Sequence, residues 1–148
     1  MKQSFILYFT FCILHSAFSF AEHSKIDSIL SLLETDNPDT TKVIHLNKLS
    51  VKYKNIGSYD TAMNYGNYAL QLARKLKFKK GIANSLHNIG SIYDDQSNYS
   101  EALKNYFASL KICVVIGDKQ SIAASYNNIG IIYMNQGNYP EALKNYFA

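Results

Sequence analysis

Apolar residues return along this chain at helical steps, separated by short polar turns. Ile26, Ile29, Leu30 and Leu33 recur in this way between Lys25 and Glu34, which predicts a short opening helix. Thr35-Asp36-Asn37-Pro38-Asp39 then reads as a stop and a turn. Beyond it we expect three pairs of helices: Thr40–Asn55 with Tyr59–Leu76, Lys79–Gln96 with Tyr99–Ile116, and Lys119–Gln136 with a helix from Tyr139 onward.

The pairs repeat. Residues 81–108 and 121–148 align without a gap, with 19 identities in 28 positions, and EALKNYFA at Glu101–Ala108 returns whole at Glu141–Ala148. A fainter copy places Tyr53, Gly57, Tyr59 and Ala62 each 40 residues before Tyr93, Ser97, Tyr99 and Ala102. A fixed period of this length marks a stack of supersecondary units, each unable to bury both its faces alone. The expected fold is therefore all-α, a right-handed α-solenoid of stacked antiparallel helix pairs. Its divisions are a capping helix and turn (22–39), a first repeat (40–80), a second (81–120) and a third that is cut short (121–148).

Local chemistry supports the turns. Asn98 and Asn138 stand where a side chain can cap free amides, each with Glu three residues on. Pro140 falls in a first turn, where its missing donor is harmless, and Gly117 can close a helix in the left-handed conformation. Gly90 opposite Ala102, and Gly130 opposite Ala142, let two backbones approach between Tyr rings.

Composition adds a compartment. Lys2, the apolar run Phe5–Phe18 and Ser19-Phe20-Ala21 read as a secretory signal peptide over residues 1–21, with an uncleaved anchor as the rival. Without the leader only Cys113 remains, so no internal disulfide can form. That combination fits a bacterial periplasm or a membrane-associated exterior. Net charge falls from +4 to +3 when Lys2 is removed, too little to imply nucleic acid. The final helix stops at Phe147-Ala148 where its earlier copy continued to Ile116, so a fragment of a longer protein is expected.

Leu86, Ile89, Gly90, Tyr93, Ala102 and Tyr106, and again Tyr126, Ile129, Gly130, Tyr133, Ala142 and Tyr146, resemble the tetratricopeptide repeat signature. Leu46, Leu49, Ser50, Tyr53 and Ala62 follow it in the first unit, but Gly66 stands where Tyr106 and Tyr146 stand. A gap is expected there, with Tyr65 or Tyr68 partly filling it. The 40-residue period exceeds the usual one of about 34 and is similar to the longer kinesin light chain variant. A leader followed by such repeats also looks like the sensor region of certain bacterial membrane histidine kinases.

The resemblance implies a concave face lined by the first helix of each pair, where a protein or peptide ligand lies. Residues sharing that face are Asn47, Val51 and Lys54 with Ile44; Asn84, His87, Ser91 and Asp94; and Asn127, Ile131 and Met134 with Ala124. Asn amides there can bond a peptide backbone, whereas Asn88 and Asn128 read as bonds between helices. The third section has no cation, which argues against a clamp for a terminal carboxylate.

Catalysis finds no support. There is no phosphate-binding glycine loop, zinc-type Cys pair, HExxH run or Gly-x-Ser-x-Gly elbow. His87 and Asp94 lie about 10 Å apart along a helix, so His87 reads as structural or surface, and His45 likewise. Neither a metal nor another cofactor is expected. Arg74, Lys75, Lys77, Lys79 and Lys80 form the densest charge cluster, read as complementing a helix C-terminus, with attraction to an acidic partner or lipid headgroups as the alternative. The expected function is an exported peptide-binding scaffold that does not bind nucleic acid and meets a membrane only through a segment beyond Ala148. The alternative is the periplasmic sensor of a membrane-bound signalling enzyme.

Overall fold

The computed structural model describes residues 24–148. The expected signal peptide, Cys12 included, lies outside the described residues. Helix α1 covers residues 24–35. Then come α2 (Thr40–Asn55), α3 (Tyr59–Lys75), α4 (Lys79–Asp95), α5 (Tyr99–Ile116), α6 (Lys119–Asn135) and α7 (Tyr139–Tyr146). No strand occurs among the described residues. Within pairs α2 packs on α3, α4 on α5 and α6 on α7; between pairs α3 packs on α4 and α5 on α6, and α2 also meets α4 directly. The chain is an all-helical solenoid.

One device sets the helix lengths. Backbone φ is positive at Gly57, Lys77, Ser97, Gly117 and Gly137, a spacing of 20 residues each time. At each site the next amide bonds back five residues, as in Ser58 to Tyr53, Phe78 to Ala73 and Asp118 to Cys113. The positive-φ residue itself bonds back three, for example Gly117 to Val114. This is the Schellman ending. Both helices of a pair therefore terminate by one geometry, and two 20-residue halves build the period.

Starts are less uniform. Asp39 Oδ1 accepts from the amides of Thr41 (2.7 Å) and Lys42 (3.3 Å), and Asp118 Oδ1 accepts from Ser121 at 3.2 Å. Asn98 and Asn138 cap Glu101 and Glu141 at 3.4 Å. Those two Glu side chains turn to Lys104 and Lys144 rather than back to the cap. Ser58 bonds the Thr61 hydroxyl instead of an amide, and α4 opens after Phe78 without a side-chain cap.

Apolar clusters run through the stack. Val43, Leu46, Ala69, Leu72 and Ala73 fill the first pair; Leu70, Leu86 and Ile89 join α3 to α4; Ala102, Tyr106, Leu110, Ile129 and Ile132 join α5 to α6. Each such Leu or Ile contributes about 1.5–3 kcal/mol by burial. Buried serines link the helices through their hydroxyls, Ser50 to the Ala62 carbonyl at 2.9 Å and Ser109 to the Ala83 carbonyl at 2.8 Å.

The Gly–Tyr contact inverts along the array. A Cβ on Gly90 would lie 2.9 Å from the Tyr106 ring and 3.3 Å from the Ala102 carbonyl oxygen; one on Gly130 would lie 2.6 Å from the Tyr146 ring. In the first repeat the small pair is Ser50 and Gly66, and a Cβ on Gly66 would meet Ser50 Oγ at 3.1 Å and Ile89 at 3.2 Å. The space that a Tyr would take is closed by Ile89 of the next repeat. Tyr65 stacks on Tyr53 with centroids 5.4 Å apart, whereas Tyr68 points outward and is 49% exposed.

Candidate functional site

First helices share a wall, and its side chains decide what the solenoid can hold. A cavity of about 580 Å³ opens there, lined by Ile29 of α1, Ile44, Asn47 and Val51 of α2, and Asn84 and His87 of α4. Ser121 and Ala124 of α6 reach its far edge. Lys54, Ser91, Asp94, Asn127, Ile131 and Met134 do not line it. Asn127 borders a separate cavity of about 290 Å³ at the α6–α7 end, Ile131 is half-buried, and Met134 is exposed and within 4.0 Å of the Tyr146 hydroxyl.

Several predicted ligand residues hold the repeats together. Asn88 Nδ2 donates to Asn47 Oδ1 at 3.1 Å and to the Asn47 carbonyl at 3.3 Å. Asn47 is buried, and its own amide donates to the Val43 carbonyl. The same link recurs one repeat later, where Asn128 Nδ2 lies 3.2 Å from His87 Nε2. Lys54 pairs with Asp95 at 3.1 Å. Each of these partners is 41 residues from its mate, so the links form a ladder between successive first helices.

This ladder governs the electrostatics. His87 also meets the Tyr106 ring, centroids 5.1 Å apart. Burial, then the Lys54 charge, pull its pKa below the ordinary histidine value, so the ring is neutral at pH 7 and its Nε2 is available to accept from Asn128. Tyr106 is held protonated by burial and the neighbouring Asp94 carboxylate. Asp94 is raised by burial and by Asp95, with Lys54 opposing. Among the described residues no group of three His, Cys, Asp or Glu side chains is placed to hold a metal ion.

Sequence reasoning missed Ile29, Lys48, Lys52 and Asn88 as lining residues. Ile29 was assigned to a cap, and from α1 it also lines the cavity. Lys48 and Lys52 sit at i+4 and i+8 from Ile44, positions that a strict i+3, i+7 face passes over.

Comparisons agree with the fold. The tetratricopeptide repeat family model matches residues 82–114 and 122–146. The chain is similar in fold to the TPR domain of Arabidopsis FLU, at 22% identity and a TM-score of 0.67, over 72% of this chain and 90% of that one. It is also similar to BtubC (BKLC) from P. vanneervenii, at 18% identity and a TM-score of 0.65, over 73% of this chain and 45% of that one. Among curated proteins none matches.

Proposed function

We propose that the chain is a protein-interaction module whose first-helix wall takes a peptide segment of its partner. The observation that carries this reading is the cavity of about 580 Å³ lined by Ile44, Val51, Asn84 and His87, where aliphatic side chains lie beside amides able to donate and accept. Apolar contacts supply affinity, and Asn84 with Lys48 sets the register of the bound backbone. The tetratricopeptide likeness supports docking rather than catalysis, and the Lys2 and Phe5–Phe18 leader supports a place outside the cytoplasm.

Selecting peptides from a random library against the whole chain tests the proposal. Binding should weaken about tenfold or more in Ile44→Arg and Asn84→Lys, and stay unchanged in Phe107→Ser on the outer wall. Equal binding to all three variants would overturn it.

A further inference from the structure

We propose that the rim formed by the α3–α4 and α5–α6 turns rests on the surface of an anionic phospholipid bilayer. The two turns are neighbours: Lys80 Nζ reaches Asp118 at 3.3 Å, and Lys77, Lys79, Ile116 and Asp118 border one cavity of about 560 Å³. Residues 74–80 and 114–120 together carry six cations, Arg74, Lys75, Lys77, Lys79, Lys80 and Lys119, against the single carboxylate of Asp118. That carboxylate is already occupied by the Ser121 amide and Lys80. The α1–α2 turn at the same end, residues 34–40, holds Glu34, Asp36 and Asp39, of which Asp36 is taken by His45, so the cationic stretch is confined to the two later turns; residues 55–60, 95–100 and 135–140, at the opposite end, contain no Lys or Arg.

Helix ends account for only part of this charge. Arg74 and Lys75 lie in the last turn of α3, where cations are favourable. Lys79 and Lys80 open α4 and Lys119 opens α6, at the ends where the dipole disfavours them. Lys77 holds φ of 54° where Gly117 stands one repeat later. Lys80 is offset by its pair with Asp118, which leaves Lys77, Lys79 and Lys119 at positions that helix ends do not reward.

Aliphatic side chains protrude beside them. Val114 and Val115 are 58% and 66% exposed, and Leu76 is 36% exposed. Lysines flanking outward valines suit an interface with charged headgroups above and acyl chains beneath. An acidic protein is the rival occupant, and a soluble polyanion separates the two. None of the described helices is long and apolar enough to cross a membrane, so the contact is peripheral.

The chain has no Trp, so Val115→Trp places a lone reporter at the rim. The leader's apolar run would act on vesicles of either charge, so the measurement is the emission of that Trp and not sedimentation. With phosphatidylglycerol-containing vesicles its emission should shift to the blue and resist acrylamide, and with pure phosphatidylcholine it should not. The shift should be lost at about 0.5 M salt. In a background of Lys75→Ser, Lys77→Gly and Lys79→Ser, vesicle affinity should fall by about tenfold or more, with helical circular dichroism unchanged. Ser100→Trp on the opposite rim should stay unshifted. An absent shift, an equal shift with neutral vesicles or at Ser100→Trp, or the same shift with soluble polyglutamate would overturn the proposal.

Discussion

Asn128 of α6 lies 3.2 Å from His87 of α4, in the place where Asn88 of α4 lies 3.1 Å from Asn47 of α2. One Asn in each later repeat thus bonds the first helix before it, and His87 replaces an Asn as acceptor in the second step. His87→Asn should therefore keep the link and change stability by less than about 0.5 kcal/mol. His87→Ala removes one partner of the half-buried Asn128 amide, which keeps its bond to Tyr106, and uncovers the Tyr106 ring, at about 0.5–1.5 kcal/mol for the lost bond alone. Urea titrations of the three proteins would show the ordering, and equal losses for both substitutions would refute it.

The same contact makes stability depend on pH. Folded His87 resists protonation through burial and Lys54, whereas the unfolded chain takes up a proton near pH 6.5. The unfolded state then binds more protons, so the stabilisation is present above about pH 6.5 and declines as pH falls below it. Asp94 has the opposite sign in a lower window, because its raised folded pKa adds stability as the carboxyl protonates. Between pH 7 and pH 5.5 the natural chain should lose more stability than His87→Asn. Parallel midpoints for the two across that range would remove His87 from the account.

Helix positions were legible because the pattern repeats: a turn read at Asn98 is read again at Asn138, and the structure starts helices at Tyr99 and Tyr139. The 20-residue half-period was hidden because two of its five left-handed positions are Lys77 and Ser97, residues that do not mark a positive φ as glycine does. The Asn88 and Asn128 links were anticipated as bonds between helices, but their mates were not. A 41-residue offset lies one residue from the period, and the stagger of stacked helices that produces it is a tertiary property. Asn47, read as ligand-facing, lines the cavity and also bonds Asn88, because groove and seam meet on one helix and spacing alone does not separate them.

Relieving the two strained turns should stabilise the fold. A left-handed conformation costs a residue with a Cβ roughly 1–2 kcal/mol, partly offset by the greater freedom glycine gives the unfolded chain. Lys77→Gly and Ser97→Gly should each add about 0.5–1 kcal/mol by this reckoning, while Gly117→Ala, at φ of 71° with nothing within 4 Å of its Cβ, should lose a similar amount through the backbone alone. Thermal melts would register each as a shift of a few degrees. A lower melting point for Lys77→Gly would show that the lysine makes a compensating contact.

Glycines at equivalent positions should differ in their tolerance of a methyl group. At Gly90 the added Cβ meets Tyr106, which is 1% exposed and in tilted ring contact with His87, and also the rigid Ala102 carbonyl. Neither can retreat, so Gly90→Ala should cost about 1–3 kcal/mol of overpacking, against a helix-propensity gain of about 1 kcal/mol. At Gly130 the nominal clash is closer, 2.6 Å, but its partner Tyr146 is 40% exposed and free to swing outward. Gly130→Ala should therefore be near neutral despite the shorter distance, and Gly66→Ala intermediate, since only Ser50 and Ile89 must give by a few tenths of an ångström. Chemical denaturation of the three variants would test whether neighbour mobility or raw distance decides the outcome; a larger loss at Gly130 than at Gly90 would favour distance.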